Sequence, residues 1–199
     1  MPVKAVAPTL FYPLQLQTML VTIRGTAPLM TNHFSKKSEG DIAGAQNGEP
    51  KRGKVYRNPD QEYEDSKYKT VDGRDGFPVA GFRKAMIRAA KQNGMAMTDA
   101  SEVFAMLGPE IVPLRCTPPH MDTRYAVLHK KTTTIAYRAM YDEWEVDLAI
   151  EFNKRAVTVE QLLVLLTTAG KLIGVGPLRP EKLGQYGKFE IKMTAEEAI

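Results

Sequence analysis

The stretch from Thr158 to Met193, TVEQLLVLLTTAGKLIGVGPLRPEKLGQYGKFEIKM, constrains the fold more than any other part of the chain. It demands a helix, a glycine-rich loop and a strand in that order. Thr158 with Gln161 three residues later forms a capping box ahead of an apolar run, so the spacing predicts a helix start there. Leu162, Leu163, Leu165, Leu166 and Ala169 give that helix an apolar face too broad for solvent, which predicts packing against a sheet. The helix has to stop by Gly174. Beyond the loop, Phe189, Ile191 and Met193 alternate with Lys188, Glu190 and Lys192, the period of a half-buried strand.

The loop at 174–187 holds four glycines, two prolines, Arg179 and Lys182. Glycine lets backbone amides approach a ligand closely, because no Cβ intervenes and positive φ is accessible. With cations beside it, such a loop suits phosphate. The same residues also fit a plain structural role, with Gly174 ending the helix, Pro177 and Pro180 shaping a turn, and Arg179 solvated. Two nucleotide-binding motifs are excluded by spacing. Gly174 and Gly176 are followed by Pro177, Leu178 and Arg179, which meets neither GxxxxGK[ST] nor GxGxxG.

At 199 residues the chain is read as a single domain, residues 1–199, carrying one polar insertion at 35–76. No apolar run approaches the roughly 20 residues that a membrane helix needs, and the first residues lack the order of a secretory signal, so a cytoplasmic location without membrane contact is expected. One cysteine, Cys116, excludes an internal disulfide framework. A net charge of +4 leans toward polyanionic partners if the cations gather on one face.

In chain order, Met1 to Pro13 is an irregular arm. Leu16 to Arg24 is the first strand, and Leu20, on its polar side, predicts cover on both faces. Residues 35–76 carry Lys36, Lys37, Lys51, Arg52, Lys54 and Arg57 in the first half, interleaved with Tyr56, Tyr63 and Tyr68, and acids in the second. Cations with aromatic rings suit a single-stranded nucleic acid, through phosphate contact and base stacking. A solvated insertion whose charges cancel fits that composition equally well. Phe77 to Gln92 predicts a helix burying Phe82, Met86, Ala89 and Ala90, with Arg83, Lys84, Arg88 and Lys91 outward. A short helix over Ser101–Leu107, a strand over Ile111–Cys116 and a hairpin around Lys130 follow. Trp144 to Phe152 alternates strictly, one face apolar and the other bearing Glu145, Asp147 and Glu151.

Stripped of its insertion, this is strand, helix, strand, strand, helix, strand. The predicted class is α+β: a ferredoxin-like βαββαβ antiparallel sheet with two helices on one face. In that topology the last strand flanks the first, so the glycine loop is expected beside the insertion.

Three segments resemble the RAMP superfamily, the ferredoxin-like RNA-binding proteins of CRISPR effector complexes: the first strand with GTAPLM, the helix start FPVAGFRKAMIRAA, and GVGPLRPEKLGQYGKFEI after an apolar helix. The family pattern has IPGSSLRGALR at the helix start and a terminal glycine loop closing in G-[FY]-G. The resemblance covers about half the chain. It implies a crRNA or other single strand along the sheet side, the insertion as a thumb, and partners that are copies of the chain or other effector subunits. Lys36, Lys37, Arg83, Arg88, Arg179 and Lys182 are then the phosphate-facing candidates, joined by Lys51, Arg52, Lys54, Gly176 and Tyr186. Val79, Ala80 and Gly81 depart from the family's serines, and the chain is short for a backbone subunit. That leaves open a phage-encoded protein that binds or anneals single-stranded DNA, or interferes with a CRISPR complex.

The family also includes ribonucleases, which makes His33 and Asp41 the catalytic candidates, His33 as a general base. Cys116, His120 and His129 lack a recognisable zinc spacing, so no metal and no cofactor is expected. The reading is a non-catalytic binder of single-stranded RNA or DNA that multimerises along the strand, with a metal- or His-dependent ribonuclease as the enzymatic alternative.

Overall fold

The computed structural model describes residues 13–33, 43–44, 46–48, 56–127 and 133–192. Its strands in chain order are β1 (Leu16–Gly25), β2 (Leu29–Met30), β3 (Tyr68–Lys69), β4 (Asp75–Pro78), β5 (Phe104–Leu107), β6 (Ile111–Pro113), β7 (Arg115–Cys116), β8 (His120–Val127), β9 (Thr133–Tyr141), β10 (Trp144–Asn153) and β11 (Phe189–Ile191). The helices are α1 (Pro59–Asp65), α2 (Val79–Gln92), α3 (Met97–Val103) and α4 (Val159–Thr168). This is an α+β protein with antiparallel sheets. The central sheet has neighbours β11, β1, β10 and β5, with β7 added at the start of β10. Two smaller sheets have the orders β2-β9-β8 and β3-β4-β6.

Alternation along β10 decides which face of the central sheet becomes core. Trp144, Val146, Leu148, Ile150 and Phe152 are all buried, and α2 and α4 close over them. From α2 come Phe82, Ala85, Met86, Ala89 and Ala90, and from α4 Leu162, Leu165 and Leu166. Phe82 is the centre of an aromatic cluster, 5.4 Å from Phe77, 5.9 Å from Phe189 and 6.4 Å from Trp144 between ring centroids. The capping box forms as the sequence implies: the Thr158 amide donates to Gln161 Oε1 at 2.9 Å and the Gln161 amide to Thr158 Oγ1 at 3.3 Å.

Two elements and one residue differ from the sequence expectation. The segment read as a helix over Ser101–Leu107 is instead the end of α3 followed by edge strand β5, because Phe104 enters the core while Ala105 faces out. The strand expected over Ile111–Cys116 is split: β6 pairs with β4, and β7 pairs with the start of β10. Pro113, which has no N–H to donate, ends the first piece. Leu20 has no cover among the described residues and is 80% exposed. The last part of the polar stretch 35–76 is ordered as well. Asn58 caps α1 by accepting from the Asp60 and Gln61 amides, and β3 folds onto β4.

The open face of the central sheet carries both signs of charge in register, with Arg24 opposite Glu145 and Thr22 opposite Asp147. Asp147 accepts from Arg115 and, at 2.6 Å, from Thr22 Oγ1. Arg115 first and Thr22 second hold its carboxyl down at about 2, from an ordinary 3.8. A carboxyl with a depressed folded-state pKa stabilises the fold above the unfolded value and loses that contribution as pH falls from about 4 to about 2. Because the side chain is 63% exposed, the contribution is below about 1 kcal/mol. Asp147→Asn is expected to be less stable than the parent at pH 6 in urea unfolding, with the gap closing by pH 2. An unchanged gap would contradict this assignment.

Candidate nucleic-acid interface

The glycine loop is built by the way α4 ends. The helix widens into a π-turn over Ala169–Ile173 and stops at Gly174, whose φ is +71° and whose amide donates to the Ala169 carbonyl at 2.7 Å. From there the chain folds back along the exit of β1. The Gly187 amide donates to the Pro28 carbonyl at 2.8 Å, and the Thr26 amide to the Lys188 carbonyl at 2.9 Å. Gly176, at φ +76°, lies so near β2 that a Cβ there would meet the Met30 carbonyl oxygen at 2.5 Å. GTAPLM and the glycine loop are therefore one unit, and Trp144 fastens it from below by donating Nε1–H to the Ala27 carbonyl at 2.9 Å. Among the described residues, the amides of Gly176, Leu178 and Arg179 have no acceptor.

The cations named from sequence divide into groups. Arg88 on α2 and Arg179 in the loop converge on one carboxylate. Arg179 donates to Glu181 Oε2 through Nε at 2.9 Å, with Nη2 at 2.7 Å, and Arg88 pairs with Glu181 Oε1. Arg179 also donates Nη1–H to the Gly176 carbonyl at 3.1 Å. Burial, and then the neighbouring Arg88 charge, lower the Arg179 pKa from its ordinary value. Lys182, the residue after Glu181, is exposed with no carboxylate partner among the described residues. Arg83 turns away from this point and donates to the Ser101 carbonyl at 2.7 Å. Lys36, Lys37, Lys51, Arg52, Lys54 and Asp41 lie outside the described residues, as does His129.

Tyr186 faces a second cluster. The Arg124 guanidinium on β8 lies 4.6 Å from the Tyr186 ring centroid and donates to its hydroxyl, and Arg124 Nε donates to Asp122 at 2.6 Å. Asp122 first and Tyr186 second raise the Arg124 pKa. Across the hairpin from Asp122 stands Arg138, which donates Nε–H to Asn32 Oδ1 at 3.2 Å. Burial lowers its pKa. His33 packs edge-on against Tyr68 with centroids 4.9 Å apart, and the Tyr68 hydroxyl donates to the Asn32 carbonyl at 3.4 Å. Among the described residues no group of three or more His, Cys, Asp or Glu is placed to hold a metal ion. No helix among them is long and apolar enough to cross a membrane.

Sequence reasoning did not single out Arg124, Arg138 or Glu181. Arg124 meets the loop at Tyr186, and Arg138 stands opposite Asp122 through the β8–β9 register, placements that no local pattern encodes. Glu181 was readable as the one acid in a basic loop, between Pro180 and Lys182.

No family model and no curated protein sequence matches the chain. Among solved structures it is similar to Cmr6 from Pyrococcus furiosus, at 10% identity and a TM-score of 0.44, over 90% of this chain and 100% of that one. It is also similar to a Cas6 product complex, at 14% identity and a TM-score of 0.30, over 87% of this chain and 51% of that one.

Proposed function

We propose that the protein is a non-catalytic binder of single-stranded RNA of the RAMP type. In this reading a ferredoxin-like βαββαβ core carries the strand, residues 35–76 act as a thumb, and copies of the chain or other effector subunits assemble along the RNA. The neighbour order β11, β1, β10, β5 supports the core, because it places the last strand beside the first and the first and third at the centre. One observation carries the reading: the glycine loop docks on the exit of β1 and its Arg179 meets Arg88 from α2 at Glu181, with exposed Lys182 the next residue along. Guanidinium and ammonium groups beside the unpaired amides of Gly176, Leu178 and Arg179 suit a phosphodiester chain and carry little sequence information. The open sheet face is a poorer seat, since Glu145, Asp147 and Glu190 there are matched by Arg24, Arg115 and Lys192.

Arg179→Ala with Lys182→Ala tests it. Each phosphate contact with a single strand contributes about 0.7 to the slope of log K against log salt. The double variant is therefore expected to flatten that slope by about 1.4 on a labelled single-stranded RNA, with an unchanged circular dichroism spectrum. An unchanged slope would make the loop a structural device only.

A further inference from the structure

We infer that Glu181 is a built-in stand-in for phosphate, an internal anion that occupies the Arg88–Arg179 seat until a phosphodiester displaces it. The inference rests on the nucleic-acid reading above and adds its regulation. Three observations converge on it. The two guanidiniums come from different elements, α2 and the loop after α4, so no local pattern forces them together. Each takes a different oxygen of the same carboxylate: Arg179 holds Oε2 through Nε and Nη2, and Arg88 holds Oε1. The seat is also partly open, with side-chain exposures of 25% for Glu181, 23% for Arg179 and 38% for Arg88.

A carboxylate bridging two guanidiniums presents two anionic oxygens on a single centre, as the non-bridging oxygens of a phosphodiester do. Two cations this close repel each other, so an anion between them keeps the seat assembled when no ligand is present. Exchange of Glu181 for a phosphodiester replaces one negative charge by another. The incoming strand gains the two guanidiniums but has to release the carboxylate, so the seat holds RNA more weakly than its cations alone would. Glu181 lies on the single 3₁₀ turn Pro180–Lys182, which Leu183 follows with a positive φ of 61°. A turn that short can carry its side chain aside without disturbing α2 or α4.

The test compares the parent with Glu181→Gln, Arg88→Ala and the pair of changes together, on a labelled single-stranded RNA of about 20 nucleotides, spanning several contacts of a single-strand groove. Thermal denaturation with inorganic pyrophosphate supplies a readout independent of RNA. Glu181→Gln is expected to bind the RNA about fivefold more tightly, the worth of one partly exposed ion pair. It should also show a larger pyrophosphate-dependent rise in Tm than the parent, and both gains should vanish when Arg88→Ala is added. Equal or weaker RNA binding by Glu181→Gln, while Arg179→Ala with Lys182→Ala still flattens the salt slope, overturns the stand-in and leaves the nucleic-acid reading intact. Conversely, an enlarged pyrophosphate response with no RNA binding in any variant keeps the anion seat and sinks the nucleic-acid reading. The melting curves also show directly whether each variant folds.

Discussion

Trp144→Ala is expected to lose about 3 to 5 kcal/mol of stability, the range for removing a large aromatic from a packed core. The indole is buried against Phe82 and Phe189, with centroids 6.4 and 6.3 Å away. Gly25 is part of the same arrangement, since a Cβ there would overlap the indole ring. The loss extends beyond packing, because the Ala27 carbonyl would lose the Nε1–H donor that holds the GTAPLM segment down. Trp144→Phe keeps most of the apolar contact and removes that donor, so its expected cost is smaller, about 1 to 3 kcal/mol. Urea denaturation of both variants measures the pair. A cost under about 1 kcal/mol for the alanine variant would mean the cluster collapses into the space, and Trp144 would then not be the fastening point.

Gly187→Ala has the second large effect, for a different reason. Its φ of +64° costs a residue with a side chain about 1 to 2 kcal/mol. A Cβ would also overlap the Val175 carbonyl oxygen, which is backbone and cannot swing aside. Overpacking of that kind adds about 1 to 3 kcal/mol, so a total of about 2 to 5 kcal/mol is expected. Gly94 provides the control: at φ +76° nothing lies within 4 Å of a Cβ, so Gly94→Ala meets the backbone cost alone. Because the Gly187 amide joins the loop to Pro28 and its carbonyl closes the loop on Val175, RNA binding should fall with stability in Gly187→Ala and remain in Gly94→Ala. Melting and binding curves of the two proteins decide this. Equal stabilities would show that the loop makes room for a side chain.

Residues with a strong local period were readable without coordinates. Trp144 to Phe152 announces both its faces, and Thr158 with Gln161 marks the start of α4, because alternation and capping are properties of neighbouring residues. Phe104 to Leu107 was not readable. Four residues following a helix are too few to show a period of two, and their strand character comes from pairing with Ala149 to Phe152, more than 40 residues away. The misreading of Leu20 has a related cause: an apolar residue on the polar side of a strand asks for cover, but only the tertiary arrangement says whether cover exists. At the candidate site the glycine loop and Arg179 were legible from composition. That Glu181 draws Arg88 and Arg179 together was not, since it depends on α2 lying beside the loop.

Tyr186 belongs to the same loop as Arg179 and Glu181, yet both its ring and its hydroxyl are engaged by Arg124 on the hairpin. The hairpin's own sheet pairs with the exit of β1 through Leu29 and Met30 of β2, and that tyrosine adds a second tie between the glycine loop and the same sheet. A displacement of the loop that carried Tyr186 away would therefore cost the Arg124 guanidinium both its ring and its hydroxyl partner.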